Sequence, residues 1–408
     1  MVIEKRRVEL DRFYYEVIMR IQKLMLTNWK NFQKADAALR DRMFIIGPNA
    51  SGKSNLLDVF RFLRDIARGQ GGGLQQAIKD RGGLSKVRCY AARTNPHVEI
   101  EVHLGEQNGE STEYVYRLGL SQESRGLRRP LVKYEEVFVK GKKVLDRPDE
   151  NDSDDPERLT ETHLEQTAAN KDFREIVSFF NSVCYLHLVP QMVRAPEVGL
   201  NSGQGDDPFG RTFLERMAKT PEKTRRGRLK RIEKALKIIA PHLKDLSFEH
   251  DVKGQPHLIS RYEHWRPDAG QQNETQFSDG TLRAIGLLWA LQEGTSLLLI
   301  EEPELSLNAE IVKEIPAMLS LVSRKNKRQV LVSTHSRDLL SDKGIAPEET
   351  IILKTEKEGT VVSLASEDST VMALYKSGLP ISEAALSLAA PLDAYQLSLN
   401  FENNGETK

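Results

Sequence analysis

The chain has 408 residues, 39% hydrophobic and 29% charged, enough for two or three domain-sized units with a packed core. Lys plus Arg and Asp plus Glu both number 59, so net charge offers no argument for nucleic acid and any such case rests on local patches. No run of about 18 apolar residues occurs, so no membrane span is expected, and two distant cysteines, Cys89 and Cys184, argue for a reducing, cytoplasmic setting without a cysteine metal cage.

Residues 1–18 are charged, lack the apolar stretch of a secretory signal, and read as an N-terminal extension. Ile21–Leu26 and Gln33–Leu39 read as strands around a turn at Asn28–Asn31. The apolar run Met43–Ile46 then enters Gly47-Pro48-Asn49-Ala50-Ser51-Gly52-Lys53-Ser54, a complete G-x-x-x-x-G-K-S phosphate loop. A helix follows from Asn55 to Arg68, stopped by Gly69 and a glycine run at 71–73. In that strand–loop–helix setting, backbone N–H groups curl around a triphosphate and the helix N-terminus adds partial positive charge. Lys53 can reach the β- and γ-phosphates, and Ser54 can hold Mg²⁺.

Residues 97–145 alternate in strand fashion, as in Val98–Leu104 and Glu113–Leu118, and read as an antiparallel subdomain. Arg147–Glu157 is acidic and reads as a mobile loop, with Asp152 and Asp154 solvated. Helical patterns cover 160–181 and 211–244. The second holds the basic stretch Lys223–Lys237 with Leu229, Ile232, Leu236 and Ile239 on the other face. It is either a phosphate-backbone contact or a solvated face balanced by Glu222 and Glu233. Strands at Leu246–Val252 and His257–Tyr262 come next.

Phe277-Ser278-Asp279-Gly280-Thr281 opens a helix over Leu282–Glu293, either an anion site at a helix N-terminus or an ordinary cap. Ser296–Ile300 has the continuous apolar character of a buried parallel strand. It ends in Glu301-Glu302-Pro303-Glu304, where α/β sheets place ligand chemistry. Glu301 is the candidate for Mg²⁺, and Glu302 for orienting or deprotonating an attacking water. After a helix over Ala309–Ser323, the strand Gln329–Ser333 ends in Thr334-His335-Ser336, which offers His335 to a γ-phosphate or the water. A strand at Thr350–Leu353 completes the alternation.

Together these motifs resemble an ABC-class ATPase, and more closely the RecF/SMC/OLD-related group, in which FSDGT stands where transporters carry LSGGQ. The resemblance covers the whole chain and implies an α/β fold. That fold is an ABC-type ATPase head with a mixed sheet, an antiparallel β subdomain and an inserted helical region. The expected division is 1–18 extension, 19–95 head with Walker A, 96–269 insert, 270–365 head with signature and Walker B, and 366–408 helical segment and tail. It implies ATP and Mg²⁺ as cofactors. Asn49, Gly52, Lys53, Ser54 and Asn55 bind nucleotide, as do Ser278, Asp279 and Gly280 of the signature. Glu302 and His335 are catalytic. Ser54, Glu301 and a coupling glutamine, Gln191, serve the metal. Glu302–Asn308 occupies the D-loop position, though Asn308-Ala309 stands where relatives often read histidine-proline.

In this class each ATP lies between the phosphate loop of one protomer and the signature of another, so one copy of each implies a homodimer closed by ATP. No sustained heptads, zinc hook or following nuclease domain is present, which implies an ATPase without its own nuclease, working with a separate nuclease or toxin effector, with DNA as partner. The alternative is an ATP-dependent regulatory module that touches no nucleic acid. Finally, Gln396, Leu399 and Phe401 resemble the bacterial sliding-clamp-binding peptide; the alternative is a closing strand.

Overall fold

The computed structural model describes residues 19–69, 71–92, 96–106, 111–194, 209–263, 270–294 and 296–389. The extension 1–18 and the tail residues Gln396, Leu399 and Phe401 lie outside the described residues.

Fifteen strands form three sheets among these residues. They are β1 (Met19–Trp29), β2 (Phe32–Ala38), β3 (Arg42–Ile46), β4 (Val98–Glu106), β5 (Tyr114–Gln122), β6 (Pro130–Val139), β7 (Lys142–Arg147), β8 (Cys184–Leu186), β9 (Leu243–His250), β10 (Pro256–Tyr262), β11 (Gln271–Asn273), β12 (Leu298–Glu301), β13 (Val330–Ser333), β14 (Thr350–Glu356) and β15 (Gly359–Leu364). An antiparallel sheet runs β2-β1-β4-β5-β6-β7, drawing strands from both sides of residue 95. A mixed sheet runs β15-β14-β3-β13-β12-β8, parallel except at β14–β15. The third sheet is β11-β10-β9. Five helices matter below: α1 (Lys53–Ala67), α2 (Pro190–Arg194), α3 (Glu222–Ile239), α4 (Asp279–Ala290) and α5 (Ala309–Asn326).

Period-two alternation along the parallel strands divides the interior into two cores. Met43 and Ile45 of β3, Leu299 of β12 and Leu331 of β13 join the antiparallel sheet and α1 in one. Phe44, Ile46, Leu298, Ile300, Val330 and Val332 face α3, α4 and α5 in the other. With both faces covered, these strands show the unbroken apolar runs of a buried parallel sheet. Gln329 ties the two six-stranded sheets together: its carbonyl oxygen accepts from the Ile21 N–H at 2.9 Å, and its amide donates to the Ile21 carbonyl at 2.7 Å.

Three expectations change. Residues 147–157 are ordered: Asp149 and Asp152 make a reciprocal capping box on a short helix, Glu150–Asp154. Asp152 is not solvated. It pairs at 2.8 Å with Arg147, which also meets Glu135 at 3.1 Å, and all three side chains are fully buried. Within 160–181 only Arg174–Asn181 is α-helical. Thr160, Thr162 and Asn170 bond neighbouring backbone or Glu165 instead, which favours short turns. The helical stretch 211–244 is two helices, Phe213–Lys219 and α3, parted at Thr220-Pro221, and β9 already begins at Leu243. Among the described residues no helix is long and apolar enough to cross a membrane.

Candidate active site

Strand β3 delivers the phosphate loop at the C-terminal edge of the parallel sheet. Gly52, the cap of α1, has φ +97°, and a Cβ there would lie 2.1 Å from the Asn31 amide nitrogen. Glycine is therefore required both for backbone geometry and for space. Asn31 backs the loop from outside: its amide donates to the Ser51 carbonyl at 2.8 Å and its oxygen accepts from Asn55 at 2.7 Å. Thr360 Oγ1 donates to the same carbonyl at 2.8 Å. Lys53 Nζ folds over the loop onto the carbonyls of Gly47 and Pro48, each at 3.1 Å. Burial lowers its pKa against the pull of Glu302, Glu301 and Glu304. Asn49 and Ser54 are exposed at the loop surface.

The acidic end of β12 meets this loop. Ser54 Oγ donates to Glu301 Oε1, and the Tyr185 hydroxyl donates to Glu301 Oε2. Glu302 has a left-handed φ of 46°, so the chain turns sharply where its side chain is presented. Glu302 Oε1 lies 3.6 Å from His335 Nε2 at the end of β13. Burial, then the charge of Lys53, push the His335 pKa down while Glu302 opposes, so the ring is neutral near pH 7. Glu304 holds this segment to the next strand end: its Oε1 accepts from Thr334 Oγ1 at 2.7 Å and from the His335 N–H at 3.1 Å. Burial raises its pKa.

Ser54 and Glu301 are hard oxygen donors, and Mg²⁺ is commonly held by one or two such side chains together with phosphate oxygens. No group of three His, Cys, Asp or Glu side chains able to hold a metal occurs among the described residues. The donor set therefore fits a metal that arrives with a nucleotide, with Ser54 and Glu301 as its protein side.

A second group of residues lies at the N-terminus of α4. Ser278 caps the helix, accepting from Thr281 N at 3.2 Å. Asp279 pairs with Arg194 at 2.6 Å, and the Gln191 amide on α2 donates to it at 3.3 Å. Gln191 thus stands at the FSDGT segment. A Cβ on Gly280 would lie 2.5 Å from the Ser306 carbonyl, so the loop after Glu302 packs directly on this helix end. Tyr185, Asn31, Thr360 and Glu304 were given no role from sequence; only Glu304, in the acidic run, offered a local signal.

The basic helix α3 divides its cations. Arg225 lies over Phe248 and donates to the Ala218 carbonyl at 2.9 Å, Arg228 lies over Trp289 of α4, and Arg231 bonds Gln292 at 2.6 Å. Lys223, Arg226, Lys230, Lys234 and Lys237 are exposed and recur every three or four residues, forming one stripe.

A family profile described as "AAA domain, putative AbiEii toxin, Type IV TA system" matches residues 42–342. No curated protein matches the chain in sequence. Among solved structures, an Smc head bound to the C-terminal winged-helix domain of ScpA shares 12% identity, with TM-score 0.54 over 84% of this chain and 97% of that one. An Smc head with an extended coiled coil, bound to the C-terminal domain of ScpA and derived from Pyrococcus furiosus, shares 12% identity, with TM-score 0.52 over 88% and 99%.

Proposed function

The chain belongs to the AAA-domain family matched by residues 42–342; from that premise we propose that it is an ABC-class ATPase related to the SMC and RecF group, an ATP-hydrolysing switch acting on DNA. In this reading two copies close around ATP, each phosphate loop facing the partner's Ser278–Gly280. The setting is bacterial genome maintenance or anti-phage defence, and the effector is a separate nuclease or toxin. The observation that carries it is the meeting of Ser54 with Glu301, 247 residues apart in sequence, beside the Glu302–His335 pair.

Lys53 and the loop amides would bind the phosphates, and Ser54 and Glu301 would hold Mg²⁺, which supplies charge neutralisation when bound. Glu302 accepts a proton from, or orients, the attacking water. His335, neutral and held through its backbone by Glu304, completes that contact. Lys53→Ala should abolish ATP binding. Glu302→Gln should keep it while turnover falls by orders of magnitude and the protein dimerises with ATP in light scattering. Wild-type turnover in Glu302→Gln would reject Glu302 as the base, and a strict monomer in both states, with full wild-type activity, would reject the sandwich.

A regulatory module without nucleic acid is the second reading. It is favoured by the use of half-buried Arg225 and Arg228 against Phe248 and Trp289, which leaves a thinner basic face than the sequence advertises. Docking of Gln396, Leu399 and Phe401 on a sliding clamp remains part of the first reading. Titrating a peptide of residues 393–408 with clamp, beside a triple-alanine control, decides it; equal binding of both would reject it.

A further inference from the structure

Glu301 has one methylene more than an aspartate would, which gives its carboxylate another rotatable bond to fix. The structure supplies the constraint. Strand β8 runs parallel to β12 with Tyr185 opposite Leu299, so Tyr185, Leu299 and Glu301 share one face of the sheet. Two residues along a strand span about 6.6 Å, a distance the length of a tyrosine side chain covers. The Tyr185 hydroxyl accordingly reaches past Leu299 to donate to Glu301 Oε2. The ring is buried, and the Arg61 guanidinium lies 4.4 Å above its centroid. Arg61 and Ser54 stand seven residues apart on α1, two helical turns, and so on the same face. One side of the phosphate-loop helix thus clamps the tyrosine at its ring and, through Ser54, grips the other oxygen of the same carboxylate.

We infer that Tyr185 is a positioning residue for the metal site, matched to a glutamate at position 301, which it holds by Oε2 and so keeps Oε1 beside Ser54, the two groups that would hold the metal. This rests on the ATP and Mg²⁺ reading above. Of the two hydroxyls on Glu301, that of Ser54 is contested, because a phosphate loop gives it to the metal. The Tyr185 hydroxyl is not contested, so it is the contact that keeps the carboxylate in place. Outer partners of metal ligands typically control affinity by 10–100-fold.

The test is binding of a fluorescent ATP analogue to the full chain, in EDTA and across a MgCl₂ series. Tyr185→Phe keeps the ring under Arg61 and removes only the donor. It should leave metal-free affinity unchanged and raise the half-saturating Mg²⁺ about tenfold. Substituting 4-fluorophenylalanine at 185, which fills the hydroxyl's space without donating, should do the same and serves if the phenylalanine variant melts early. In a Glu301→Asp background, where the shortened side chain withdraws from the hydroxyl, Tyr185→Phe should change the Mg²⁺ requirement by less than about twofold. An unchanged Mg²⁺ requirement, an equal loss in EDTA, or an equal effect in the Glu301→Asp background would overturn the assignment. A wild-type protein that binds no analogue with or without Mg²⁺ would instead overturn the ATP reading itself.

Discussion

Replacing Asp58 by Asn should cost the protein about 2 kcal/mol at neutral pH. Asp58 lies on α1, one turn beyond Ser54, with its side chain 8% exposed. Arg81 grips both carboxylate oxygens at 2.9 Å, and Lys30 Nζ lies 2.6 Å away. Burial works against ionisation, but Arg81 and then Lys30 outweigh it and bring the pKa from 3.8 to about 2. At about 1.4 kcal/mol per decade of binding, the charged carboxylate stabilises the fold by roughly 2 kcal/mol. Because the folded pKa is depressed, this contribution is complete above pH 4 and disappears as pH falls toward 2. Urea titrations of wild type and Asp58→Asn, followed by tryptophan fluorescence, should differ by about 2 kcal/mol at pH 7, and the gap should narrow from about pH 4 downward and close as pH falls through about 2. Lys30 also precedes Asn31, which backs the phosphate loop, so the variant should bind ATP more weakly. A difference below about 0.5 kcal/mol at pH 7, or one that does not change with pH, would refute the reasoning.

Arg147→Met should destabilise the protein by about 3–5 kcal/mol, because it strands the buried carboxylates of Glu135 and Asp152. A thermal melt checks this, and a loss of under 1 kcal/mol would mean that the cluster relaxes by admitting water. Reversing the exposed stripe, with Lys223, Arg226 and Lys230 each changed to Glu, should weaken binding to duplex DNA and flatten its salt dependence. Changing Arg225 and Arg228 instead should lower the melting temperature, since these hold α3 against Phe248 and Trp289. Unchanged DNA affinity of the stripe variant across a salt series would favour the module that touches no nucleic acid.

The phosphate loop was legible because its determinants are contiguous: β3, the Gly52 turn and α1 follow one another in the chain. The acidic end of β12 and His335 were legible for the same reason, each sitting at the end of a short apolar run. Tyr185 was not, because β8 is only three residues long and its meaning depends on lying beside β12, more than 100 residues later. Composition misled at 147–157. Many carboxylates read as solvated, yet Arg147 neutralises two of them, and the Asp149-x-x-Asp152 spacing was a readable helix start. The basic helix shows the same limit from the other side. Charge at a position is visible in sequence, but whether the guanidinium lies on a neighbouring ring is not.

The placement of β3 bears on how this chain is made. All five of its residues are buried, and its partners are β13, which pairs Arg42 with Val330, and β14. On a ribosome adding about 5–20 residues per second, roughly 290 residues and some 15–60 seconds separate its emergence from that of its first partner. During that interval an apolar strand has no edge to join. A messenger cut short before β13 would yield a product with this strand exposed, a natural target for chaperones and proteases. Since Glu301 and His335 also come late, no chain that stops short of residue 335 can assemble the Ser54–Glu301 pair beside its histidine. Chemistry at this site is reserved for polypeptides translated past β13.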